Sequence, residues 1–427
     1  MKVAFCTLGC KVNQYESQSM EQALIKRGFE CVGASEEADV YIVNSCTVTA
    51  ESDRKTRQNV RHLRKLHPDA VIVLTGCMPQ AFPEDARLLT QADIVTGNRS
   101  NKQIPDMIDE FFRTRERIVR IAQHENGEKF SGELINDFRE RTRATVKIED
   151  GCNRFCSYCI IPYARGRVRS KPLEDIREEI SSLEKKGFSE IVLVGINLSA
   201  YGTDCGASIC DAVELAASFD GIKRVRLGSL EPDHMTPEVT KRLAECKKLC
   251  PQFHISLQSG CDKTLERMNR HYTAAEYEEL CTRLRSEFED ATLTTDVMVG
   301  FSGETKEDFE ISRDFVRKIG FEKVHVFPYS RRAGTRAAEF PDVVENAEKE
   351  RRSREMIAAA GEVRHEFLER QIGRTVEVLF EEKLRDGSIQ GYTANYTPVR
   401  IKSGCTHGLR KVKITACGDD WCEGELI

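Results

Sequence analysis

The chain has 427 residues, more than one ordinary hydrophobic core needs, so we expect it to fold into two or three domains. Its 40% hydrophobic and 31% charged residues are typical of a soluble globular protein, and no apolar stretch approaches the ~20 residues of a membrane span, so we expect a cytoplasmic protein with no membrane partner. The net charge of −5 disfavours an overall basic nucleic-acid binder, although basic groups can still be concentrated locally.

Short apolar runs alternate with helical patterns in the N-terminal part of the chain. The predicted strands are Lys2–Cys6, Asp39–Asn44, Ala70–Thr75 and Asp93–Thr96. The predicted helices are Glu16–Lys26, Ser52–His67 and Glu84–Leu89. This alternation predicts an open parallel α/β sheet, and a strand at the start disfavours a secretory signal peptide. The charged, weakly patterned sequence at 113–143 predicts a linker with some local structure.

A second series of apolar runs and helical patterns begins at residue 144. Its predicted strands are Ala144–Glu149, Glu190–Val194, Lys223–Leu227, Phe253–Leu257, Leu293–Val299 and Lys323–Phe327. Six such units predict a partial (β/α)6 barrel. After a charged helical stretch at Glu339–Gln371, the helical patterns stop. The remaining short strands, Arg374–Glu381, Ser388–Ala394, Pro398–Lys402 and Leu409–Ala416, predict a small β-barrel.

Cys152, Cys156 and Cys159 supply three thiolates in C-x3-C-x2-C spacing, one fewer than a closed four-iron cluster takes. One iron would then be open to another ligand. A structural zinc site would need a fourth ligand nearby, but no cysteine or histidine follows before Cys205, and the nearest upstream histidine is His124. The run directly follows the first predicted barrel strand, where reactive loops gather in parallel α/β folds.

Cys10, Cys46 and Cys77 each lie just beyond the end of a different predicted strand in the N-terminal sheet. Because parallel strands place their following loops at one edge of the sheet, the three thiolates can converge there. The alternative is that they are ordinary buried cysteines, which are common in α/β cores. Cys6, within a strand, and Cys31, beyond a helix end, are expected to be structural.

The two cysteine sets and the β-rich tail, in this order, resemble the methylthiotransferase family of the radical S-adenosylmethionine (SAM) superfamily across essentially the whole chain. The resemblance implies a methylthiotransferase domain at 1–112, the linker at 113–143, a radical SAM barrel at 144–366 and a TRAM domain at 367–427. It also implies two 4Fe-4S clusters and SAM as cofactors. The barrel cysteines would hold the cluster that cleaves SAM to a radical, and the N-terminal set the cluster that carries the donated sulfur.

Polar residues at the predicted barrel strand ends are the candidates for contacting SAM. They are Tyr158, Asn197, Ser229, Glu231, Gln258 and Asp296. The absence of a Gly-x-Gly-x-x-Gly loop fits a ligand without phosphate. Each residue taken alone can equally be structural, as a turn carboxylate before Pro232 would be, but their shared placement at strand ends favours a function.

Two basic clusters indicate a polyanionic substrate. Arg54, Lys55, Arg57, Arg61, Arg64 and Lys65 lie on one predicted helix, for which a merely solvated face is the alternative. Arg165, Arg167, Arg169 and Lys171 follow the barrel cysteines, where positive charge beside the reaction centre favours a polyanion. The tail resembles TRAM domains, which are associated with RNA binding, although a purely structural barrel is the alternative.

Within the family, the segments Gly9–Ser17 and Asn44–Thr49 are most similar to the branch acting on N6-threonylcarbamoyladenosine beside the tRNA anticodon. The resemblance therefore implies methylthio transfer to C2 of that adenine at tRNA position 37. The implied partners are this tRNA, an external electron donor and a sulfur donor of unknown identity. The alternatives are an isopentenyladenosine tRNA methylthiotransferase and a non-catalytic iron–sulfur protein that binds RNA.

Overall fold

A computed structural model of the protein describes residues 1–132, 135, 142–404 and 408–427. It begins with a parallel sheet of six strands in the order β2-β1-β3-β4-β5-β6. These strands are β1 (Lys2–Thr7), β2 (Glu30–Val32), β3 (Val40–Ser45), β4 (Val71–Gly76), β5 (Ile94–Thr96) and β6 (Ile118–Arg120). The connecting helices are α1 (Lys11–Lys26), α2 (Ala50–Leu66), α3 (Cys77–Ala81), α4 (Pro83–Arg87) and α5 (Ile104–Thr114).

The two central strands of this sheet, β3 and β4, are buried at every residue. Apolar clusters cover the sheet on both faces, as expected for parallel strands crossed by helices. The prediction of an open parallel α/β sheet is therefore confirmed. The edge strands β2 and β6 were not predicted, because three residues are too few for a periodic signal.

The predicted linker at 113–143 overlaps regular structure in its first third. Helix α5 extends to Thr114, and β6 adds a sixth strand to the sheet at Ile118–Arg120. The charged residues around β6 concealed a strand that shows only one face to the core. Residues 133–134 and 136–141 of the predicted linker lie outside the described residues.

The second part of the chain contains two parallel sheets, ordered β11-β10-β7 and β12-β13-β14-β15, and the small antiparallel pair β8-β9. The strands are β7 (Arg143–Lys147), β8 (Glu149–Asp150), β9 (Arg169–Ser170), β10 (Glu190–Val194), β11 (Arg224–Leu227), β12 (Ser229–Leu230), β13 (Gln252–Ile255), β14 (Thr292–Val299) and β15 (Lys323–Pro328). A bridge between Val225 and Leu249 links the two sheets, so the long parallel strands form one curved series. This agrees with the predicted partial barrel.

Helices cover the outside of this barrel, and its largest apolar cluster lies between them and the strands. They are α7 (Leu173–Lys185), α8 (Ile209–Ala217), α9 (Pro237–Ala244), α10 (Asp262–Arg267), α11 (Ala274–Glu287), α12 (Lys306–Ile319) and α13 (Asn346–Glu369). The short helix α6 (Ile161–Arg165) packs instead against α3 of the N-terminal part. In the described parts of the chain, no helix combines the length and the apolar character needed to cross a membrane.

The C-terminal residues form a closed barrel in the order β16-β17-β18-β20-β19. Its strands are β16 (Thr375–Lys383), β17 (Ile389–Thr393), β18 (Pro398–Ile401), β19 (Gly408–Cys417) and β20 (Cys422–Leu426). This confirms the predicted small β-barrel, and β20 is an additional strand. The barrel packs against the first residues of two parallel strands: Arg224 donates to the Glu377 carbonyl at 3.1 Å, and the Thr292 hydroxyl donates to the Asn395 carbonyl at 2.6 Å.

Candidate functional site

The three N-terminal cysteines follow neighbouring strands of the first sheet. Cys10 is the N-cap of α1, Cys46 comes directly after β3, and Cys77 is the first residue of α3 after β4. The Asn13 side chain joins two of these loops, because its Oδ1 accepts from the Cys10 amide at 3.3 Å and its Nδ2 donates to the Ser45 carbonyl at 3.3 Å. The predicted convergence of the three loops at one sheet edge is present in the structure.

Gly9 permits this close approach. Its φ is +134°, and a Cβ at this position would lie 3.0 Å from the Cys46 Cβ and 2.5 Å from Asn13 Oδ1. Any larger residue would therefore push the first cysteine loop away from the second. Glycine is the residue that tolerates both this backbone conformation and the close contact.

The N-terminal thiols influence one another electrostatically. Burial raises the pKa of Cys77 to about 12, the charges of Cys46 and Cys10 act in the same direction, and the Arg165 guanidinium opposes them. Burial also raises the pKa of the Cys46 thiol. Iron binds the thiolate, so binding a cluster here must release protons, and the cation of Arg165 favours that release.

The barrel cysteines occupy the loop between β8 and α6. Cys152 accepts weak contacts from the Asn197 side-chain amide at 3.8 Å and from the Arg154 backbone amide at 3.5 Å. The Arg270 guanidinium donates to Cys156 Sγ at 3.2 Å. Burial raises the pKa of the Cys152 thiol to about 12. The loop therefore presents thiols to polar donors that would stabilise thiolates.

The donor chemistry of the cysteine sets fits iron–sulfur clusters, which are held by thiolates. Among residues 1–132, 135, 142–404 and 408–427, no three metal-binding side chains gather closely enough to hold one ion. Thiolates on a four-iron cluster stand farther apart, because each binds a different iron. Asn197 Oδ1, beside Cys152, is buried and has no hydrogen-bond partner among the described residues. A bound ligand that carries a donor group would satisfy it.

The six candidate SAM contacts do not share one environment. Ser229 and Asp296 line a large cavity, whereas Asn197 is buried against the barrel cysteine loop. The Tyr158 ring packs edge-on against Phe301 with centroids 6.3 Å apart.

The other two candidates are held by the protein. The Glu231 carboxylate forms an ion pair with Arg270, the residue that also contacts Cys156. Gln258 adopts a φ of +66° and bridges to Val297 of β14. Backbone strain of this kind is often found at functional sites.

Arg270 and Glu149 are candidate site residues that sequence reasoning missed. Arg270 lies in a loop after α10, where no motif marks it. Glu149 begins β8, and its Oε2 accepts from the Asn197 backbone amide at 2.7 Å, while its buried Oε1 has no partner in the described part of the chain. Burial raises the pKa of Glu149 to about 8, and the charge of Asp150 adds to the effect. The sequence signal that could have identified Glu149 was the Glu149-Asp150 pair just before the cysteine run.

The predicted basic cluster beside the barrel cysteines is mostly an internal salt-bridge network, so the expectation that its positive charge favours a polyanion there is wrong for three of its four members. Three of its members are buried and bonded to carboxylates, namely Arg165 to Glu16, Arg169 to Asp150 and Lys171 to Glu179. Arg167 is exposed, and its guanidinium lies 4.5 Å from the Phe155 ring centroid. Sequence spacing could not reveal the distant carboxylates that neutralise this cluster.

The basic helix α2 does present charge to solvent. Lys55, Arg61 and Lys65 are exposed, and Arg57 is partly exposed. Arg64 instead binds Asp93 at 2.5 Å at the edge of the sheet. The predicted positive face is therefore present, with Arg64 serving a structural role.

A cavity of about 1030 Å³ joins all three parts of the fold. Cys10 and Cys46 line its N-terminal side, Gly195 and Ser229 belong to the barrel strand ends, and Trp421 belongs to the C-terminal barrel. Gly195 precedes Asn197 by two residues, and the Asn197 amide contacts Cys152. The cavity therefore lies beside both cysteine sets and has room for a nucleoside.

Comparison with known proteins agrees with this arrangement. Residues 2–97 match the model of Uncharacterized protein family UPF0004, and residues 146–316 match that of the Radical SAM superfamily. Threonylcarbamoyladenosine tRNA methylthiotransferase MtaB of Bacillus subtilis (strain 168) is 35% identical over 435 residues, covering 100% of this chain and 96% of that protein. The chain belongs to the radical SAM methylthiotransferase family. The predicted family resemblance is confirmed. The prediction that the protein is an enzyme that uses SAM and 4Fe-4S clusters is confirmed as well.

Other members of this family are similar to the same degree. The MtaB protein of Thermotoga maritima is 37% identical, covering 99% of this chain and 96% of that protein. A tRNA-2-methylthio-N(6)-dimethylallyladenosine synthase of Pelotomaculum thermopropionicum is 36% identical, covering 91% of this chain and 88% of that protein.

Among solved structures, the radical SAM methyltransferase TsrM of Kitasatospora setae has a TM-score of 0.56 at 15% identity, covering 77% of this chain and 72% of that one. At this identity the similarity concerns the fold alone. It agrees with an N-terminal α/β sheet joined to a parallel barrel.

Proposed function

We propose that this methylthiotransferase adds a methylthio group to C2 of the adenine in N6-threonylcarbamoyladenosine at tRNA position 37, next to the anticodon. The observation that carries the proposal is the cavity that the N-terminal cysteines line and that reaches Gly195, two residues before the Asn197 that contacts Cys152. A sulfur-bearing site and a SAM-cleaving site must act on one carbon, so they must open onto one space. Cys10 and Cys46 line this cavity together with Gly195 and Ser229 at the barrel strand ends.

The six cysteines are assigned as ligands of two clusters. Cys152, Cys156 and Cys159 hold the cluster that binds SAM, and Cys10, Cys46 and Cys77 hold the one that carries sulfur. When bound, these groups supply the radical and the methylthio group, chemistry that side chains do not provide. Asn197, Ser229 and Asp296 are the better placed SAM contacts. Tyr158, Glu231 and Gln258 are assigned to support the loop and the pocket around them.

The domain boundaries proposed here are 1–112, 144–366 and 367–427, joined by the 113–143 linker, and the last unit is proposed to be a TRAM domain. Both family matches fall inside the first two units, and the closed C-terminal barrel supports the third.

The reaction requires an external electron donor and a sulfur donor. A tRNA substrate and a cysteine-rich chain are consistent with the cytoplasmic location that we also propose.

The substrate assignment is supported by MtaB relatives at 35% and 37% identity over nearly the whole chain. It is tested by reconstituting the enzyme anaerobically and supplying dithionite, SAM and tRNA that lacks methylthio groups. Nucleoside mass spectrometry should then detect 2-methylthio-N6-threonylcarbamoyladenosine together with 5′-deoxyadenosine. A protein that binds tRNA but releases no 5′-deoxyadenosine would be the non-catalytic iron–sulfur protein instead.

A further inference from the structure

The barrel wall below the strand ends is polar. On the inner faces of three neighbouring strands, β13 to β15, the residues that line the cavity are Gln252, His254, Thr294, Asp296, Lys323, His325 and Phe327. Phe327 stands near the strand end, and the deeper positions are all polar. A substituent that extends from the reaction site into this part of the cavity therefore meets hydrogen-bonding groups and charges.

Most charges in this wall already have partners. Asp296 faces His254, with 3.3 Å between Oδ2 and Nε2. The nearby Glu322 and Asp420 carboxylates are both bound by Arg364. The acidic groups of the wall therefore each have a partner in the protein.

Lys323 differs from these residues. Its side chain is exposed to the cavity and makes no hydrogen bond or ion pair with any residue in the described part of the chain. Its charge acts on the neighbouring Glu322 and His325 without direct contact. Arg400, a second cation of the cavity, is engaged: its guanidinium lies 3.6 Å from the Trp421 ring centroid, and its Nε donates to Gln390 at 2.9 Å. Lys323 is thus an ammonium group without a direct partner among the described residues, in the cavity proposed to receive the substrate, a position suited to an anion.

The depth of Lys323 matches the geometry of the substrate. Lys323 begins β15, four residues before Phe327, which is roughly 13 Å at the usual rise of a strand. Cys10 and Cys46 lie at the strand-end side of the cavity, with Gly195 and Ser229. The N6 substituent is attached to C6 of adenine, whereas the reacting carbon is C2. When C2 faces the cysteine sets, the far end of the substituent therefore extends deeper into the cavity than the reacting carbon.

We propose that Lys323 binds the carboxylate of the threonylcarbamoyl group and that His325, the next residue facing the cavity, hydrogen-bonds to the same substituent. This inference rests on the proposed function and names the residue that selects its substrate. An isopentenyl substituent has no polar atom to offer. It would displace water from the ammonium without replacing the lost hydrogen bonds, so Lys323 also disfavours that substrate.

The test compares two anticodon stem-loop RNAs that differ in one group. One carries N6-threonylcarbamoyladenosine, and the other carries its carboxyl methyl ester. With the reconstituted wild-type enzyme, we expect the acid to bind and to react (kcat/KM) about ten- to a hundred-fold better than the ester, the usual range for a charge-assisted hydrogen bond. In Lys323→Met, we expect this preference to be lost because binding of the acid weakens, while the ester is unaffected.

Lys241→Met is the matched control, because Lys241 is an exposed lysine of α9 outside the cavity and its replacement changes the net charge equally. It should keep the full preference for the acid. A Lys323→Met enzyme that still prefers the acid as strongly as wild type would overturn the inference, and so would a wild type that treats acid and ester alike. A wild type that methylthiolates only isopentenyladenosine RNA would instead refute the proposed function. Retained SAM cleavage by each variant confirms that it is folded.

Discussion

Arg165 and Glu16 form a bidentate ion pair between two parts of the fold, with Nη1–Oε1 and Nη2–Oε2 distances of 2.6 and 3.0 Å. Arg165 ends the helix after the barrel cysteines, and Glu16 lies on the helix that Cys10 caps. Lys147 also donates to Glu16 Oε1, at 2.8 Å. Both cysteine sets are therefore joined through one buried carboxylate.

Removing that carboxylate should destabilise the protein. Glu16→Gln leaves the buried charges of Arg165 and Lys147 undercompensated, so we expect the free energy of unfolding to fall by about 3–5 kcal/mol. Chemical denaturation of the reconstituted protein measures this. The control Glu51→Gln removes an exposed partner of Arg54 and should leave the denaturation midpoint unchanged. Equal stability of the two variants would show that the buried pair does not hold the two parts together.

Replacing one cysteine in each set should separate the two activities. Cys156→Ala should abolish SAM cleavage while the N-terminal cluster persists. Cys77→Ala should retain uncoupled SAM cleavage but form no methylthio product. The measurements are iron content, 5′-deoxyadenosine and nucleoside mass spectrometry, and each variant is the control for the other. Normal 5′-deoxyadenosine release by Cys156→Ala, or full product yield from Cys77→Ala, would refute this assignment of ligands.

Glu149 should make stability depend on pH. Its pKa is about 8 in the folded protein and about 4.3 in an unfolded chain, so the folded state retains a proton that the unfolded state loses. The free energy of unfolding should therefore fall as pH rises through this window, by roughly 2–4 kcal/mol between pH 5.5 and 8.

Denaturation of wild type, Glu149→Gln and Glu174→Gln at both pH values tests this. Glu149→Gln should lack the decline, because glutamine does not titrate. Glu174→Gln should retain it, because the Glu174 side chain is exposed on α7. Parallel pH dependence in wild type and Glu149→Gln would contradict the expectation.

The exposed face of α2 should contribute to tRNA binding. If Arg57 and Arg61 contact phosphates, replacing both by glutamate should weaken binding and reduce the slope of log K against log salt by roughly one to two, because fewer counterions are released. Binding titrations at several salt concentrations measure the slope. Reversing Lys185 and Lys241, exposed lysines on α7 and α9, is the matched control. Equal slopes for the two double variants would make the α2 face a solvated surface only.

The sequence predicted the elements with strong patterns. The β10 prediction, Glu190–Val194, matches the structure residue for residue, because a continuous apolar run between two helices has few alternatives. The cysteine loops were also placed correctly, since the rule that parallel strands share one loop edge is geometric. Short edge strands such as β2 and β6 were missed, because three residues carry almost no periodic signal.

The polar site was less predictable. Arg165 looks like a surface cation in the sequence, yet its partner Glu16 lies on a helix of the other domain. Arg270 and Lys323 lie in no motif, and only the folded barrel brings them to the cysteine loop and the cavity. Pairing between distant residues decides which charges are buried, and sequence spacing holds no information on it.

The most direct test of the proposed function is a competition between two anticodon stem-loop RNAs identical except at the N6 substituent of adenosine 37. The reconstituted enzyme receives equal amounts of the threonylcarbamoyl and isopentenyl forms with SAM and dithionite, and mass spectrometry follows both 2-methylthio products. We predict that the threonylcarbamoyl product forms and that the isopentenyl product does not. Methylthiolation of the isopentenyl RNA in preference to the threonylcarbamoyl RNA would contradict the proposed function.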